Sequence, residues 1–289
     1  MGSKNLAEID LTLVIFTCQG REHLLEKTYK SFLEKCDLKF SKTILAVDGP
    51  VDAAILTHIN ADLVIYNYKR VGYVTSIINA LANINTNYFF WLEDDWTFHD
   101  HIDLAAFKFQ LELHADWTQV IYSKYNPPID ELKSEPIGVD LYKHPYGFSG
   151  NPGVCRTSIL KDAFDRLALF SKENKVAELS FENFISEYLK ENRMMTAIYV
   201  PAHRVISHEG FMESTARQYH MINSVNKIES LAYISGLGSD RTVTFKNKLG
   251  MFVKFWLISY LISFKIWFSR EAYDLAFRLN ATYLKKFKQ

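Results

Sequence analysis

Three consecutive carboxylates, Glu93, Asp94 and Asp95, stand directly after the apolar run Phe89-Phe90-Trp91-Leu92. Like charges at the end of a buried strand repel one another, and burial penalises each of them further. A hard divalent cation relieves both penalties. Mg2+ or Mn2+ takes one or two carboxylates and completes its shell with phosphate oxygens and water. The triplet therefore suits an ion that ties the protein, through Asp95, to a diphosphate. Asp also favours helix and turn caps, where solvent absorbs the charge. The position at a strand end favours the metal.

Other polar residues sit in the same kind of place. Thr17, Gln19 and Arg21 follow the apolar run that starts at Leu11, Asp48 follows Thr43–Val47, and Arg70 and Gly72 follow Leu63–Tyr66. Each has a plainer alternative: Asp48 can open the turn Asp48-Gly49-Pro50, Arg70 can pair with a surface carboxylate, Arg21 can be solvated near a helix start, and Gln19 can be a turn residue. His208, after a short apolar stretch, is either a structural residue or a ligand, with His203 and His220 as competitors. His99 and His101 are expected in a loop.

The elements that carry these residues alternate. Leu11–Thr17 is a continuous β-prone apolar run, as in a strand buried on both faces. From Glu22 to Lys35 the apolar positions Leu24, Leu25, Tyr29, Phe32 and Leu33 recur at helical spacing. Strands at Thr43–Val47, Leu63–Tyr66 and Tyr88–Leu92, with a helix at Thr75–Ile84, complete a β-α-β-α pattern, which predicts an α/β domain with a mostly parallel sheet and helices on both faces. Such sheets bind ligands beyond the carboxyl ends of their strands, where the residues above stand. Asn126–Gly153 is expected to form loops and short strands beside a cleft, followed by helices at Ser158–Ser171 and Ser180–Asn192 and a strand near Met195–Val200.

Composition narrows the classes. With 289 residues, 48% of them hydrophobic, the chain can bury a substantial core. Lys plus Arg equal Asp plus Glu at 33 each, which gives no reason to expect a nucleic-acid partner. Three widely spaced cysteines, Cys18, Cys36 and Cys155, fit neither a disulfide framework nor a zinc knuckle, and suit a reducing cytoplasm. The polar start Met1–Asn5 lacks the apolar stretch of a signal peptide. A dehydrogenase is disfavoured because Gly236-Leu-Gly238 has no third glycine, and a hydrolase elbow because position 151 is Asn in Gly147-Phe-Ser-Gly-Asn. A nucleotidyltransferase would carry a Gly-rich basic loop that Thr17–Arg21 does not provide.

In the order of these motifs the chain resembles the GT-A-fold glycosyltransferases, in particular the inverting family 2 group of bacterial surface-polysaccharide enzymes. Leu13–Arg21 resembles their nucleotide-contacting strand and loop, Asp48 matches the acidic position that binds the base, and Arg70-Val-Gly72 resembles the loop over the nucleotide. Trp91-Leu-Glu-Asp-Asp-Trp96 looks like a DxD motif with Glu93 in place of the first Asp and Asp95 as the metal ligand. Gly147–Gly153 resembles the loop beside donor sugar and acceptor. Ser180-Phe-Glu-Asn-Phe184 resembles the motif that carries the base, reading Glu182-Asn183 where relatives have Glu-Asp; Glu182 is the expected base, with Glu178 and Glu187 behind it. His208 matches a late histidine that completes the metal or diphosphate site. The resemblance spans Leu11 to His208. It implies Mn2+ or Mg2+, a nucleotide-sugar donor with UDP as the nucleotide and GDP or dTDP as alternatives, and a glycan or lipid-linked glycan acceptor attacked with inversion. A catalytically silent scaffold with the same fold is the alternative from another class.

The C-terminal part has a different character. From Phe245 to Gln289 nine Lys and Arg residues stand against Glu271 and Asp274 alone, and Phe255–Phe264 is free of charge. That run is short for a transmembrane span. Helices apolar nearly all round, flanked by Trp256, Trp267 and many cations, suit an anionic membrane surface on the cytoplasmic side, or burial against the catalytic domain or a second copy of the chain. The expected division is a catalytic domain over 8–240 and a helical basic and aromatic segment over 241–289.

Overall fold

The computed structural model describes residues 7–123, 135–173 and 181–208. The segment 241–289, with His220, Glu178 and Ser180, lies outside the described residues. In chain order the elements are β1 (Ala7–Cys18), α1 (Glu22–Lys35), β2 (Leu38–Asp48), α2 (Ala53–His58), β3 (Leu63–Asn67), α3 (Tyr73–Leu81), β4 (Tyr88–Glu93), β5 (Trp96–Phe98), α4 (Leu104–Leu113), β6 (Trp117–Tyr122), β7 (Pro136–Gly138), β8 (Leu141–Lys143), β9 (Gly153–Arg156), α5 (Thr157–Glu173), α6 (Phe181–Glu191), β10 (Met195–Tyr199) and β11 (Ile206–His208).

The main sheet has the order β3-β2-β1-β4-β9-β6-β10-β8-β7. Its first four strands are all parallel, joined through α1, α2 and α3. The pairing changes at β9, which runs antiparallel to both β4 and β6, while β10 returns parallel to β6. Parallel pairing dominates the half that carries the acidic triplet, and the other half is mixed. Gly153 is what lets β9 fit, because a Cβ there would lie 2.5 Å from the Val120 carbonyl oxygen.

Both faces of the sheet are covered, and the period-2 alternation of the strands decides which residue goes where. Leu11, Leu13 and Ile15 of β1 and Phe90 and Leu92 of β4 pack with Leu25 and Phe32 of α1 and Leu104, Phe107 and Leu111 of α4. Val14, Phe16, Phe89 and Trp91 point the other way, onto Ile77 and Leu81 of α3, Phe164 of α5 and Phe181 of α6. Buried on both faces, Leu11–Phe16 of β1 and Tyr88–Leu92 of β4 are apolar except for Thr12, whose hydroxyl bonds that of Thr86 at 2.7 Å. Burying each such apolar side chain contributes about 1.5–3 kcal/mol.

Six elements were not expected from the sequence: α2, α4, β6, β9, and the strands β5 and β11, which form a small antiparallel pair. Helix α2 is capped by Asp52, which accepts from the Ala54 amide at 2.9 Å, and α4 by Asp103, which accepts from the Ala106 amide at 2.9 Å. The β5–β11 pair sets His208 opposite Trp96, and so brings the far end of the described chain back to the acidic triplet. No helix among the described residues is long and apolar enough to cross a membrane.

Candidate functional site

The site lies at the carboxyl ends of β1, β2, β3 and β4, where the parallel register sets Cys18 beside Asp48 and Asp48 beside Asn67. The last residue of β4, Glu93, opens the acidic triplet. Its three carboxylates go to three different sets of partners.

Asp94 is buried and turned inward. Its Oδ2 accepts from the Thr17 hydroxyl at 2.7 Å, its Oδ1 from Arg21 Nε at 2.8 Å, and its carbonyl oxygen from the Thr28 hydroxyl at 2.7 Å. Asp95 is buried too. Its Oδ2 takes Arg21 Nη2 at 2.6 Å and faces His208 Nε2 at 3.1 Å, while its Oδ1 is buried with no hydrogen-bond partner. Arg21 thus forks between two neighbouring carboxylates, the geometry for which a planar guanidinium is suited. Arg21 thus supplies an internal cation to two of the three carboxylates, a partner the sequence did not point to. Arg21 is itself the residue before α1, and its carbonyl accepts from the Leu24 and Leu25 amides.

The electrostatics follow from these partners. Burial raises the Asp94 carboxyl to about 6, against the opposing charge of Arg21. Burial alone would raise Asp95 as well, but the hydrogen bond and charge of His208, with Arg21, outweigh it and hold Asp95 below the ordinary carboxylate range. For Arg21, burial acts against the charge, yet Asp94 and Asp95 leave it firmly protonated.

Glu93 belongs to a different part of the site. Its Oε1 accepts from the Tyr73 hydroxyl. Burial first, and the charge of Asp95 next, push its carboxyl up to about 8, with the Tyr73 hydrogen bond opposing them. Gly150 packs against the same oxygen: a Cβ at Gly150 would lie 2.8 Å from Glu93 Oε1 and 3.7 Å from Glu182 Oε1. The Gly150 amide donates to Glu182 Oε1 at 3.4 Å. Glu182, in the first turn of α6, and Glu93 therefore face each other across one backbone glycine. Glu187 instead pairs with Lys190 on the exposed side of the same helix.

The loops behind the site are tied to Asp48. Its Oδ1 accepts from the Val71 amide at 2.7 Å, its Oδ2 from the Gly72 amide at 3.2 Å, and its carbonyl oxygen from the Gln19 amide at 3.0 Å. Burial raises the Asp48 carboxyl, and those amides counter the rise. Gly72 has φ +93, a conformation an L side chain seldom adopts, and it turns the chain into α3. Arg70 donates through Nη2 to the Cys18 sulfur at 3.1 Å and to the Gln19 carbonyl oxygen at 3.3 Å, while its Nε is buried and unpartnered. Gln19 is exposed.

Of the residues singled out in the sequence, Thr17, Arg21, Asp94, Asp95 and His208 are joined by direct hydrogen bonds or ion pairs. Glu93 and Glu182 meet at Gly150, and Asp48, Arg70, Gly72 and Gln19 form the adjoining loop cluster. His203 pairs with Asp100, His101 with Asp37, and His99 with Ser207, away from the triplet. Sequence reasoning passed over Tyr73, although it directly follows Gly72 at the start of α3, and over Thr28, whose hydroxyl reaches the triplet from the middle of α1.

A divalent ion can be tested against these donors. Among the described residues no group of three or more His, Cys, Asp or Glu side chains is arranged to hold a metal. A hard ion does not need three, since phosphate and water complete its shell. Such an ion would take His208 Nε2 as a neutral imidazole, in place of the 3.1 Å contact that Nε2 makes with Asp95 Oδ2. Together with the orphaned Asp95 Oδ1, this donor set fits one Mg2+ or Mn2+ held by two protein residues.

No protein-family profile matches the chain, and no curated protein matches it by sequence. Among solved structures it is similar to S. aureus TarS, with a TM-score of 0.50 and 14% identity over 82% of this chain and 44% of that one. It is also matched to GalNAc-T7, crystallised with UDP, GalNAc and Mn2+, with a TM-score of 0.48 and 13% identity over 71% of this chain and 44% of that one. The chain spans less than half the length of either. With its parallel β3-β2-β1-β4 half, its mixed second half and this likeness to TarS, the chain has the GT-A-type glycosyltransferase fold.

Proposed function

We propose that this protein is a glycosyltransferase that moves a sugar from a nucleotide-sugar donor to a hydroxyl of a glycan or lipid-linked glycan acceptor, with a divalent metal at Asp95 and His208. The observation that carries this is Asp95. It is a buried carboxylate at a strand end, ion-paired with Arg21, with one oxygen left without a partner.

Asp95 and His208 would hold the ion, whose charge would offset that building on the departing diphosphate. Arg21 keeps Asp95 in place, and the Arg70–Gly72 loop, pinned by Asp48, lies beside the nucleotide. Glu182 accepts the proton of the attacking hydroxyl. The bond from the anomeric carbon to the acceptor oxygen forms as the bond to the phosphate oxygen breaks, and the nucleoside diphosphate leaves with the electron pair. Attack opposite the leaving group inverts the anomeric centre. UDP is the proposed nucleotide. The 245–289 segment, by its cations and aromatic residues, supports a place at the cytoplasmic face of a membrane, where a lipid-linked acceptor is found.

The test is a thermal-shift series with UDP, GDP and dTDP, each with Mn2+ or with EDTA, followed by a hydrolysis panel of the corresponding sugar nucleotides. One nucleotide should raise Tm only with metal, as binding to the native state requires, and its sugar conjugate should be hydrolysed. Stabilisation without any turnover would favour a silent scaffold, and no stabilisation at all would end the proposal.

A further inference from the structure

Tyr73 connects the two carboxylates that flank Gly150. Its hydroxyl donates to Glu93. Its ring meets Phe16 of β1 edge-on at 6.0 Å and Phe181 of α6 edge-on at 5.7 Å. Phe181 is buried and immediately precedes Glu182, so one aromatic side chain sets the position of Glu93 through its oxygen and braces the backbone next to Glu182 through its ring. Such edge-on contacts favour one ring orientation, and that orientation fixes where the hydroxyl can donate.

The space between the carboxylates is kept by Gly150. Its amide serves Glu182 at 3.4 Å, and a methyl there would intrude to 2.8 Å from Glu93. Glu93 and Glu182 are half-buried and Gly150 is buried, so a ligand reaching either carboxyl group would lie against bare backbone. A carboxyl group accepts hydrogen bonds, and when protonated also donates one, while sugar hydroxyls do both, which makes a polyhydroxylated ring the fitting occupant.

We propose that Tyr73 is a positioning residue: it holds the Glu93 carboxylate against Gly150, so that Glu93 accepts a hydrogen bond from a hydroxyl of the transferred sugar at a set separation from Glu182. This rests on the glycosyltransferase reading above. It gives Glu93 the sugar rather than the metal, and it makes Tyr73 matter for the sugar while leaving the nucleotide grip to Asp95, Arg21 and the Asp48 loop.

The experiment uses Tyr73→Phe, which keeps the ring contacts and removes only the hydroxyl, in the full-length protein. UDP with Mn2+ serves as the nucleotide probe, and UDP-glucose, UDP-galactose and UDP-N-acetylglucosamine as sugar probes. Expected are a UDP affinity within two-fold of wild type by calorimetry, a kcat for hydrolysis at least ten-fold lower, and loss of any gain in affinity that the sugar adds to UDP. Gly150→Ala, which leaves Tyr73 untouched, should give the same selective pattern by displacing Glu93. Turnover within two-fold of wild type, or loss of UDP affinity in step with turnover, overturns the assignment. A wild-type protein that binds UDP but hydrolyses none of the sugars refutes the enzyme reading, and the comparison of UDP with UDP-sugar affinities then decides the role of Tyr73. Absence of UDP binding in the wild type removes both.

Discussion

Arg21 Nη2 lies 2.6 Å from Asp95 Oδ2, across 74 positions of sequence, and the same guanidinium holds Asp94. All three side chains are almost wholly buried, so the ion pairs are dry and each partner depends on the others. Breaking a buried pair by removing one member is costly, because the survivor keeps its desolvation penalty without its counter-charge.

Arg21→Met should therefore destabilise the protein by about 3–5 kcal/mol, measured by urea denaturation. Arg21→Lys keeps the charge but not the fork, and should fall between the two. Adding Asp94→Asn to Arg21→Met should recover part of the loss, as coupled partners do in a double-mutant cycle. Wild-type stability in Arg21→Met would show that the fork carries no weight.

Asp95→Asn should abolish Mn2+-dependent stabilisation by the nucleoside diphosphate while leaving the far-UV circular dichroism spectrum unchanged. Arg21 retains Asp94 as a partner in this variant, so the fold keeps its anchor and the readout is the ligand-induced Tm shift alone. A full shift in Asp95→Asn would move the metal elsewhere.

Glu182→Gln should bind the nucleotide with Mn2+ as wild type does and lose turnover by at least about a hundred-fold, the lower end of what a general base contributes. Gln preserves the contact with the Gly150 amide through its carbonyl oxygen, which separates the loss of basicity from any shift of the loop. Turnover close to wild type would return the base to another carboxylate.

Cys18, at the end of β1 beside Arg70, has its thiol pushed up to about 11, by burial first and by the charge of Asp94 next, with Arg70 and Arg21 pulling the other way. A raised thiol value means little thiolate at pH 8. Iodoacetamide labelling of Cys18 should accelerate about ten-fold per pH unit from 8 to 10, because the thiolate is the reactive form. Peptide mass spectrometry of time points checks this, and bound nucleotide should slow the labelling. A rate that is flat over that range would contradict the burial of the sulfur. Cys36 and Cys155, buried and pushed up to about 11 and about 12, should stay unlabelled in the native protein.

The parallel half was legible because its physics is local. Burial on both faces makes Leu11–Phe16 and Tyr88–Leu92 nearly continuous apolar runs, and α1 follows at the expected residues, Glu22–Lys35. The antiparallel strand β9 was hidden because it is four residues long and follows a Gly- and Pro-marked loop, where no periodicity can build up. β6 lacks breakers to set it off, and its pairing with β9 and β10 is a long-range fact. The acidic triplet drew attention for its charge, but its partners Thr17, Thr28 and Arg21 stand 66 to 77 positions away, and no spacing rule links them to it. Tyr73 was passed over for a related reason: a tyrosine at a helix start looks like packing until the strand end it touches is known.

The strand β9 has a consequence for how finely the gap between Glu93 and Glu182 is held. Gly150, which separates Glu93 from Glu182, sits three residues before it, and β9 is pinned on one side to β4 and on the other to β6. A slip of one residue along either neighbour would carry Gly150 about 3.3 Å and turn Val154 and Cys155 to the wrong faces of the sheet. The tolerance of the chemistry is thereby written into the alignment of four residues that take no part in it.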